Sequence, residues 1–145
     1  MDDTAQTLLV AIDESAHADT VVKAAIRYAV DLRMKILFLF VVDATGFHFD
    51  DADGKLNLLV QTEQLAEQKK LTGYVDQAKA SRVFAAASKV MLGNPKEEII
   101  AQGMDSSIFA LMIGAQGANA IDASSLGSTA DFLIHHFSKT VIVVR

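Results

Sequence analysis

The chain has 145 residues, of which 51% are hydrophobic and 21% charged, and its formal net charge is -5. This length and apolar content predict one compact domain, residues 1–145, and exclude an intrinsically disordered chain. The acidic balance argues against a nucleic-acid partner, and no apolar run reaches the roughly 18 residues that span a membrane. The absence of cysteine excludes disulfides and thiolate chemistry. Because no basic and apolar export signal stands at the N-terminus, the sequence predicts a cytoplasmic protein.

Strand and helix patterns alternate along the chain, which predicts an α/β fold with a parallel sheet and helices on both of its faces. Thr7 to Ile12 is a short apolar strand, and Asp13-Glu14-Ser15 supplies capping groups for a helix from Ala16 to Leu32. Lys35 to Val42 is a continuous apolar run, typical of a strand buried on both faces. The apolar stripe of the first helix consists of Val21, Val22, Ala25, Ile26, Ala29 and Val30.

The second half of the chain continues the alternation after a polar interruption. From Asp43 to Asn57 the apolar pattern stops, and acids and glycines predict a loop. A helix follows from Leu58 to Ala80, which Gly73 weakens or interrupts. The remaining predicted elements are a strand at 82–91, a helix at 96–104 with Pro95 near its first position, a strand at 108–113, a helix at 128–137 and a strand at 140–144.

A glycine motif between the fourth and fifth strands points to a ligand. Gly114 and Gly117 follow the fourth strand, and after nine more residues Gly127-Ser128-Thr129 opens the last helix. Free N–H groups at a helix N-terminus and the positive end of the helix dipole favour phosphate, and glycine lets the backbone approach closely. The spacing therefore indicates a phosphate site, although on its own a helix stop and a helix start explain the glycines equally well.

The other chemically active side chains are less informative. Asp13 is by itself typical of a helix N-cap, a role compatible with ligand binding. His135-His136 lacks metal-ligand spacing, and the acids of the 43–53 loop lack the following Glu that a calcium loop needs. No nucleophile stands out with a base and an orienting acid. The sequence therefore predicts no catalytic residue and no metal site built from side chains.

Taken together, these segments resemble the universal stress protein family over nearly the whole chain. Leu8 to Asp13 with Ser15 is similar to the family's first strand and Asp-x-Ser turn, and the end of the second strand at 41–43 also matches. Gly93 and Pro95 are similar to the turn before helix three, and Val141 to Val144 to the closing strand. The G-x2-G-x9-G-[S/T] string over 114–128 resembles the signature of the family's nucleotide-binding branch.

The resemblance implies a single doubly wound, five-stranded parallel sheet of order 3-2-1-4-5, similar to the adenine nucleotide alpha-hydrolases. It also implies an ATP site at the carboxyl ends of the strands and a homodimer formed through strand 140–144. That location agrees with the general rule that ligands of open α/β sheets bind beyond the strand carboxyl ends, where the strand order switches.

The resemblance further implies which residues bind the nucleotide. Asp13 would bind the ribose hydroxyls or hold a water on a bound metal, and the Val41 backbone would meet the adenine. Ile113 and Gly114 would line the nucleoside, and the start of the last helix would donate to the phosphates. The implied nucleotide-binding residues are Ala11, Asp13, Val41, Ile113, Gly114, Gln116, Gly117, Gly127, Ser128, Thr129 and Ala130.

Two departures from the family pattern concern the phosphates. Glu14 stands where members often carry glycine, and the insert from Ala118 to Leu126 contains Asp122 but no Lys or Arg. A triphosphate would therefore depend on backbone donors and on a divalent ion such as Mg²⁺ held through the phosphates.

The leading interpretation is an ATP-binding stress or signalling module, a dimer whose shape or partner surface changes when ATP, ADP or AMP is bound. One alternative is a slow ATPase or phosphotransferase, for which only Asp13 is a candidate residue. Another is a dimeric interaction protein that holds no nucleotide. Flavodoxin-like electron transfer and a dinucleotide-binding Rossmann domain are weaker, because the turn after strand one lacks a hydroxyl-rich loop and G-x-G-x-x-G.

Overall fold

The computed structural model describes residues 6–44, 55–116 and 126–145, and strands alternate with helices along these ranges. In chain order the elements are β1 Thr7–Ala11, α1 Ala18–Leu32, β2 Lys35–Asp43, α2 Lys55–Ala80, β3 Ala86–Gly93, α3 Pro95–Gly103, β4 Ile108–Gly114, α4 Ser128–His136 and β5 Thr140–Val144. The strands form one parallel sheet of order β3-β2-β1-β4-β5. The predicted fold class and strand order are therefore confirmed.

Helices cover both faces of the sheet, and the alternation of side chains along each strand divides the core into two layers. In β1, Leu8 and Val10 belong to the layer under α1 and α2, whereas Leu9 belongs to the layer under α3 and α4. All three side chains are fully buried. A strand that is covered on both faces must be apolar at every position, which explains the continuous apolar runs of β1 and β4 and the largely apolar β2. Within the described ranges, no helix is long and apolar enough to cross a membrane.

The link from β1 to α1 differs from the prediction. The helix begins at Ala18 rather than Ala16, and its N-cap residue His17 makes no side-chain capping bond. Instead, Asp13 Oδ1 accepts the N–H of Ser15 at 2.9 Å, and Ser15 Oγ accepts the N–H of His17 at 3.3 Å. The prediction that residues 13–15 cap the helix was wrong, because short polar side chains also bond N–H groups two residues ahead and so stabilise turns outside a helix.

The starts of α2 and β3 and the exposure of one residue of α1 also differ from the sequence prediction. α2 begins at Lys55, inside the predicted loop, and it continues through Gly73 without interruption. β3 begins at Ala86 instead of Arg82, because Arg82 has a φ of 71° and belongs to the turn that ends α2. Val30, assigned to the buried stripe of α1, is 39% exposed. The greater part of the predicted 43–57 loop, residues 45–54, lies outside the described residues.

Asn94 caps α3 and provides a test of local stability. Its Oδ1 accepts the N–H groups of Lys96 at 3.0 Å and Glu97 at 3.3 Å, and Pro95 occupies the first helical turn. Because Asn94→Ala leaves both N–H groups without this acceptor, we expect it to lower the free energy of unfolding by about 1 kcal/mol in urea titrations. Asn94→Asp keeps an acceptor and should remain close to wild type. Equal stability of the alanine variant and wild type would contradict the capping role.

Candidate functional site

A cavity of about 560 Å³ opens at the carboxyl ends of β1, β2 and β4. It lies where the strand order switches, since the chain leaves β1 for β2 on one side and later adds β4 on the other. Its volume falls in the range of small-molecule sites. The fold thus places a ligand-sized crevice at the edge of the sheet where open α/β proteins bind their ligands.

Nine of the eleven residues implied by the family resemblance line this cavity. They come from the ends of three strands and from the start of α4. Gln116 is half-buried and is not among the lining residues, and Gly117 lies outside the described residues. The lining residues that were expected are Ala11, Asp13, Val41, Ile113, Gly114, Gly127, Ser128, Thr129 and Ala130.

Other lining residues escaped the sequence analysis. Some directly adjoin predicted positions, as Ile12 does between Ala11 and Asp13, and adjacency to a strand end was the signal that could have identified them. Glu63 lies in the first half of α2, and no motif marks it as a site residue. The lining residues that were missed are Ile12, Glu14, Leu39, Phe40, Asp43, Glu63, Pro95, Ile99, Leu126 and Leu133.

The start of α4 forms one wall of the cavity. Its N-cap, Gly127, makes no side-chain capping bond, and the Gly127 N–H donates to the carbonyl of Ala115 at 2.8 Å. The first N–H groups of a helix have no partner within the helix, so an anion in the cavity could accept them. Gly127 has φ -65° and ψ 159°, a backbone conformation open to any residue. Backbone strain therefore does not require glycine at this position.

The described part of the cavity wall is acidic. Asp13, Glu14, Asp43 and Glu63 line it, and Lys, Arg and His are absent from its described lining. Desolvation raises the pKa of Glu63, and a hydrogen bond to Glu14 and the charges of Glu14 and Glu67 raise it further. These carboxylates oppose the entry of an anion, so the described wall attracts one through uncharged donors, namely backbone N–H groups and the hydroxyls of Ser128 and Thr129.

The geometry of the acids does not make a metal centre. No group of three or more His, Cys, Asp or Glu side chains within the described ranges could hold a metal ion. Asp13 lines the cavity, and its Oδ1 already accepts the Ser15 N–H. The described side chains therefore do not supply enough ligands for a divalent ion, whereas the oxygens of a bound molecule would be suitable ligands.

Comparison with known proteins identifies the family. The model of the universal stress protein family matches residues 4–145. A protein of Staphylococcus aureus (strain USA300) that carries a universal stress protein name is 26% identical over 145 residues, which cover 98% of this chain and 85% of that protein. The structure of the universal stress protein UspA from Lactobacillus plantarum is similar with a TM-score of 0.90 at 23% identity, covering 99% of this chain and 100% of that one.

Similar folds have been solved with adenine nucleotides. The universal stress protein from Archaeoglobus fulgidus in complex with dAMP has a TM-score of 0.65 at 18% identity, covering 98% of this chain and 99% of that one. Two others are a universal stress protein in complex with cAMP, with a TM-score of 0.67, and an Arabidopsis thaliana family member with AMP bound, with a TM-score of 0.61. Since the family model spans nearly the entire sequence and the strand order is the one expected for it, this chain belongs to the universal stress protein family.

Proposed function

We propose that this protein is a cytoplasmic, adenine-nucleotide-binding module of the ATP-binding branch, which acts in a stress response or in signalling. One observation carries the proposal: nine residues implied by the family resemblance, spread over 120 positions of the sequence, converge on one cavity at the switch in strand order. The dAMP, cAMP and AMP complexes of proteins with this fold support an adenine nucleotide as the ligand class.

The lining of the cavity offers groups that suit both the base and the phosphates of a nucleotide. The apolar side chains of Val41, Ile99 and Ile113 offer a surface for the adenine ring, while the first turn of α4 offers N–H donors for phosphate. Asp13 lies beside Ala11 at the end of β1, where its carboxylate can accept bonds from ribose hydroxyls. We propose that the nucleotide lies across the end of β1 with its phosphates at Gly127.

The proposed ligand is ATP, with ADP and AMP as shorter alternatives. An ATP phosphate chain would meet four carboxylates in the described wall and no cationic side chain. We therefore propose that ATP enters with Mg²⁺ bridging its phosphate oxygens, because the ion offsets charge that the wall leaves uncompensated.

Hydrolysis should be slow at most. In-line attack on a phosphate needs a positioned base and a charge clamp, and Asp13 remains the one candidate base proposed from the sequence. We expect turnover at least about a thousandfold below the enzyme median of about 10 per second, measured as phosphate release by purified protein. Phosphate release at ordinary enzymatic rates that is lost in Asp13→Ala would favour the ATPase alternative.

Identification of the bound molecule tests the function. Protein from a fresh preparation is denatured with acid, and the supernatant is analysed by absorbance and mass spectrometry, followed by calorimetry with ATP, ADP and AMP on nucleotide-free protein. We expect a stoichiometric adenine nucleotide and saturable binding. Neither a released nucleotide nor heat of binding for any of the three would refute the proposal and favour an interaction protein that holds no nucleotide.

We also propose a homodimer formed through β5. This strand lies at one end of the sheet, and its side chains at 141–144 are half-buried on both faces. An apolar edge strand invites pairing, and a two-fold partner satisfies its backbone groups. The carbonyl of Val144 accepts the Ala115 N–H, so the backbone groups of Val144 face β4. Because successive residues alternate, the N–H of Val143 faces the open edge.

A proline at this outward position tests the dimer. Val143→Pro removes the outward N–H and adds a ring that blocks strand pairing, while the bonds of Val144 to β4 are kept. We expect wild type to be a dimer in sedimentation or light scattering at micromolar concentration and Val143→Pro to be a folded monomer. Val143→Ala keeps the N–H and should remain dimeric. A monomeric wild type, or a dimeric proline variant, would contradict pairing through this edge.

A further inference from the structure

His17 joins two distant parts of the structure beside the cavity. It follows the cavity residues Asp13 and Glu14 and forms the N-cap of α1. Its Nε2 lies 3.0 Å from the carbonyl oxygen of Val144, at the end of β5 and 127 positions away. A carbonyl oxygen only accepts, so Nε2 must carry the proton and donate. This contact fastens the β1–α1 turn to the edge strand.

Because Gly114 has no side chain, there is room for the contact between His17 and Val144. A Cβ built on Gly114 would lie 3.2 Å from His17 Cδ2 and 3.3 Å from Val21 Cγ2. Both distances are tighter than ordinary contacts between carbon atoms. The ring of His17 thus lies against Gly114 at the end of β4 and reaches Val144 at the end of β5. A side chain at position 114 would therefore press against His17 and Val21, and Gly114 is also a lining residue of the cavity.

Further hydrogen bonds connect β5 to the start of α4, the wall of the cavity where the phosphates are proposed to bind. The Val144 carbonyl that accepts from His17 also accepts the N–H of Ala115 at 2.8 Å. The carbonyl of Ala115 in turn accepts the N–H of Gly127 at 2.8 Å. Gly127 is the N-cap of α4 and lines the cavity. His17 and Gly127 are therefore linked through two carbonyl groups in series, that of Val144 and that of Ala115.

We infer that His17 is a positioning residue that sets the distance between the β1–α1 turn and the phosphate-binding start of α4. It touches no ligand in this role, since it is not among the lining residues of the described cavity wall. Its bond to the Val144 carbonyl fixes the end of β5, and Ala115 passes that constraint to Gly127. A nucleotide that contacts both Asp13 and the α4 N-terminus then finds the two walls at a set spacing. The inference rests on the proposed function for its effect on affinity.

Matched variants at position 17 separate the hydrogen bond from simple packing. A glutamine side chain carries its amide nitrogen about as far from the backbone as Nε2 of histidine and can donate to the same carbonyl, whereas asparagine is one methylene shorter. We expect His17→Ala and His17→Asn to lose about fivefold in nucleotide affinity, the equivalent of one ordinary hydrogen bond, and His17→Gln to stay near wild type. His136→Ala, an exposed histidine on α4, serves as the control.

The experiment combines calorimetry with AMP and amide hydrogen exchange without ligand, on the full chain. Exchange at Ala115 and Gly127 should quicken about fivefold in His17→Ala and return in His17→Gln. Exchange of the Ile36 amide, which donates to the Ala85 carbonyl on the far side of the sheet, should not change.

Unchanged exchange at Ala115 and Gly127 in His17→Ala would overturn the inference, whether or not any nucleotide binds. The inference would also be overturned if wild type binds AMP and a stable, folded His17→Ala protein binds it with the same affinity. A wild type that binds no nucleotide refutes the proposed function and the effect on affinity, while the exchange data still decide the positioning role.

Discussion

Gly127→Val is expected to lower ATP affinity by at least about a hundredfold, which corresponds to about 3 kcal/mol. Gly127 lines the cavity and directly precedes the first helical N–H groups of α4. A branched side chain there occupies space beside those donors, where the phosphate oxygens are proposed to lie. The backbone of Gly127 already has dihedral angles that valine adopts, so the fold should persist. Calorimetry with ATP and Mg²⁺ measures the loss, and circular dichroism confirms folding.

Two variants control this result. Ser128→Ala removes one hydroxyl from the same wall and should cost only about 1 kcal/mol, or about fivefold in affinity. Gly73→Val makes the identical substitution on the exposed side of α2, where a Cβ would meet nothing within 4 Å. ATP affinity should stay at the wild-type value in that variant. Undiminished ATP affinity in a folded Gly127→Val protein would eliminate the start of α4 as the phosphate site.

Glu14→Gln combined with Glu63→Gln is expected to raise the affinity for metal-free ATP by at least about tenfold. Both carboxylates line the cavity, and each removed charge relieves about 1 kcal/mol of repulsion against the phosphates. The gain should decrease from ATP to AMP, because AMP carries less charge, and it should shrink when Mg²⁺ is present. Asp31→Asn on the last turn of α1 also makes the net charge less negative but far from the cavity, and it should leave the affinity unchanged. Equal ATP affinity in the double variant and wild type would show that the acids do not face the ligand.

The same acids predict a pH dependence with a definite sign. The pKa of Glu63 is raised, first by desolvation and then by Glu14, so Glu63 binds its proton at a higher pH than an ordinary glutamate. As pH falls through that raised pKa, negative charge leaves the cavity and an anionic ligand should bind more tightly. cAMP is the suitable probe because its phosphodiester, unlike the AMP phosphate with its pKa near 6, does not titrate between about pH 7 and pH 5. The rise in cAMP affinity should be weaker in Glu63→Gln than in wild type. Identical pH profiles of these two proteins would contradict the assignment of Glu63 as the group that titrates beside the ligand.

The sequence alone determined the kind and order of the elements of this fold, and for β1, β2 and β4 the reason is that a strand covered on two faces must be almost entirely apolar. The runs at β1, β2 and β4 and the glycine before α4 were located from this pattern and from helix-capping chemistry. The order of the strands came from the family resemblance, since local periodicity carries no information about which strands pair. Boundaries were wrong where local chemistry had two outcomes, as at Ser15, whose hydroxyl bonds a turn N–H instead of capping α1.

Only the tertiary structure decided which side chains face one another across the cavity. Asp13 and Gly127 line the same cavity because β1 and β4 are neighbours in the sheet. The sequence of neither strand predicts that the two strands pair. Glu63 reaches the cavity because α2 packs on the same face of the sheet as α1, and His17 meets Val144 because the end of β4 carries no side chain at Gly114. These contacts depend on packing between segments distant in sequence, whereas strands and helices follow from the residues nearest to each position.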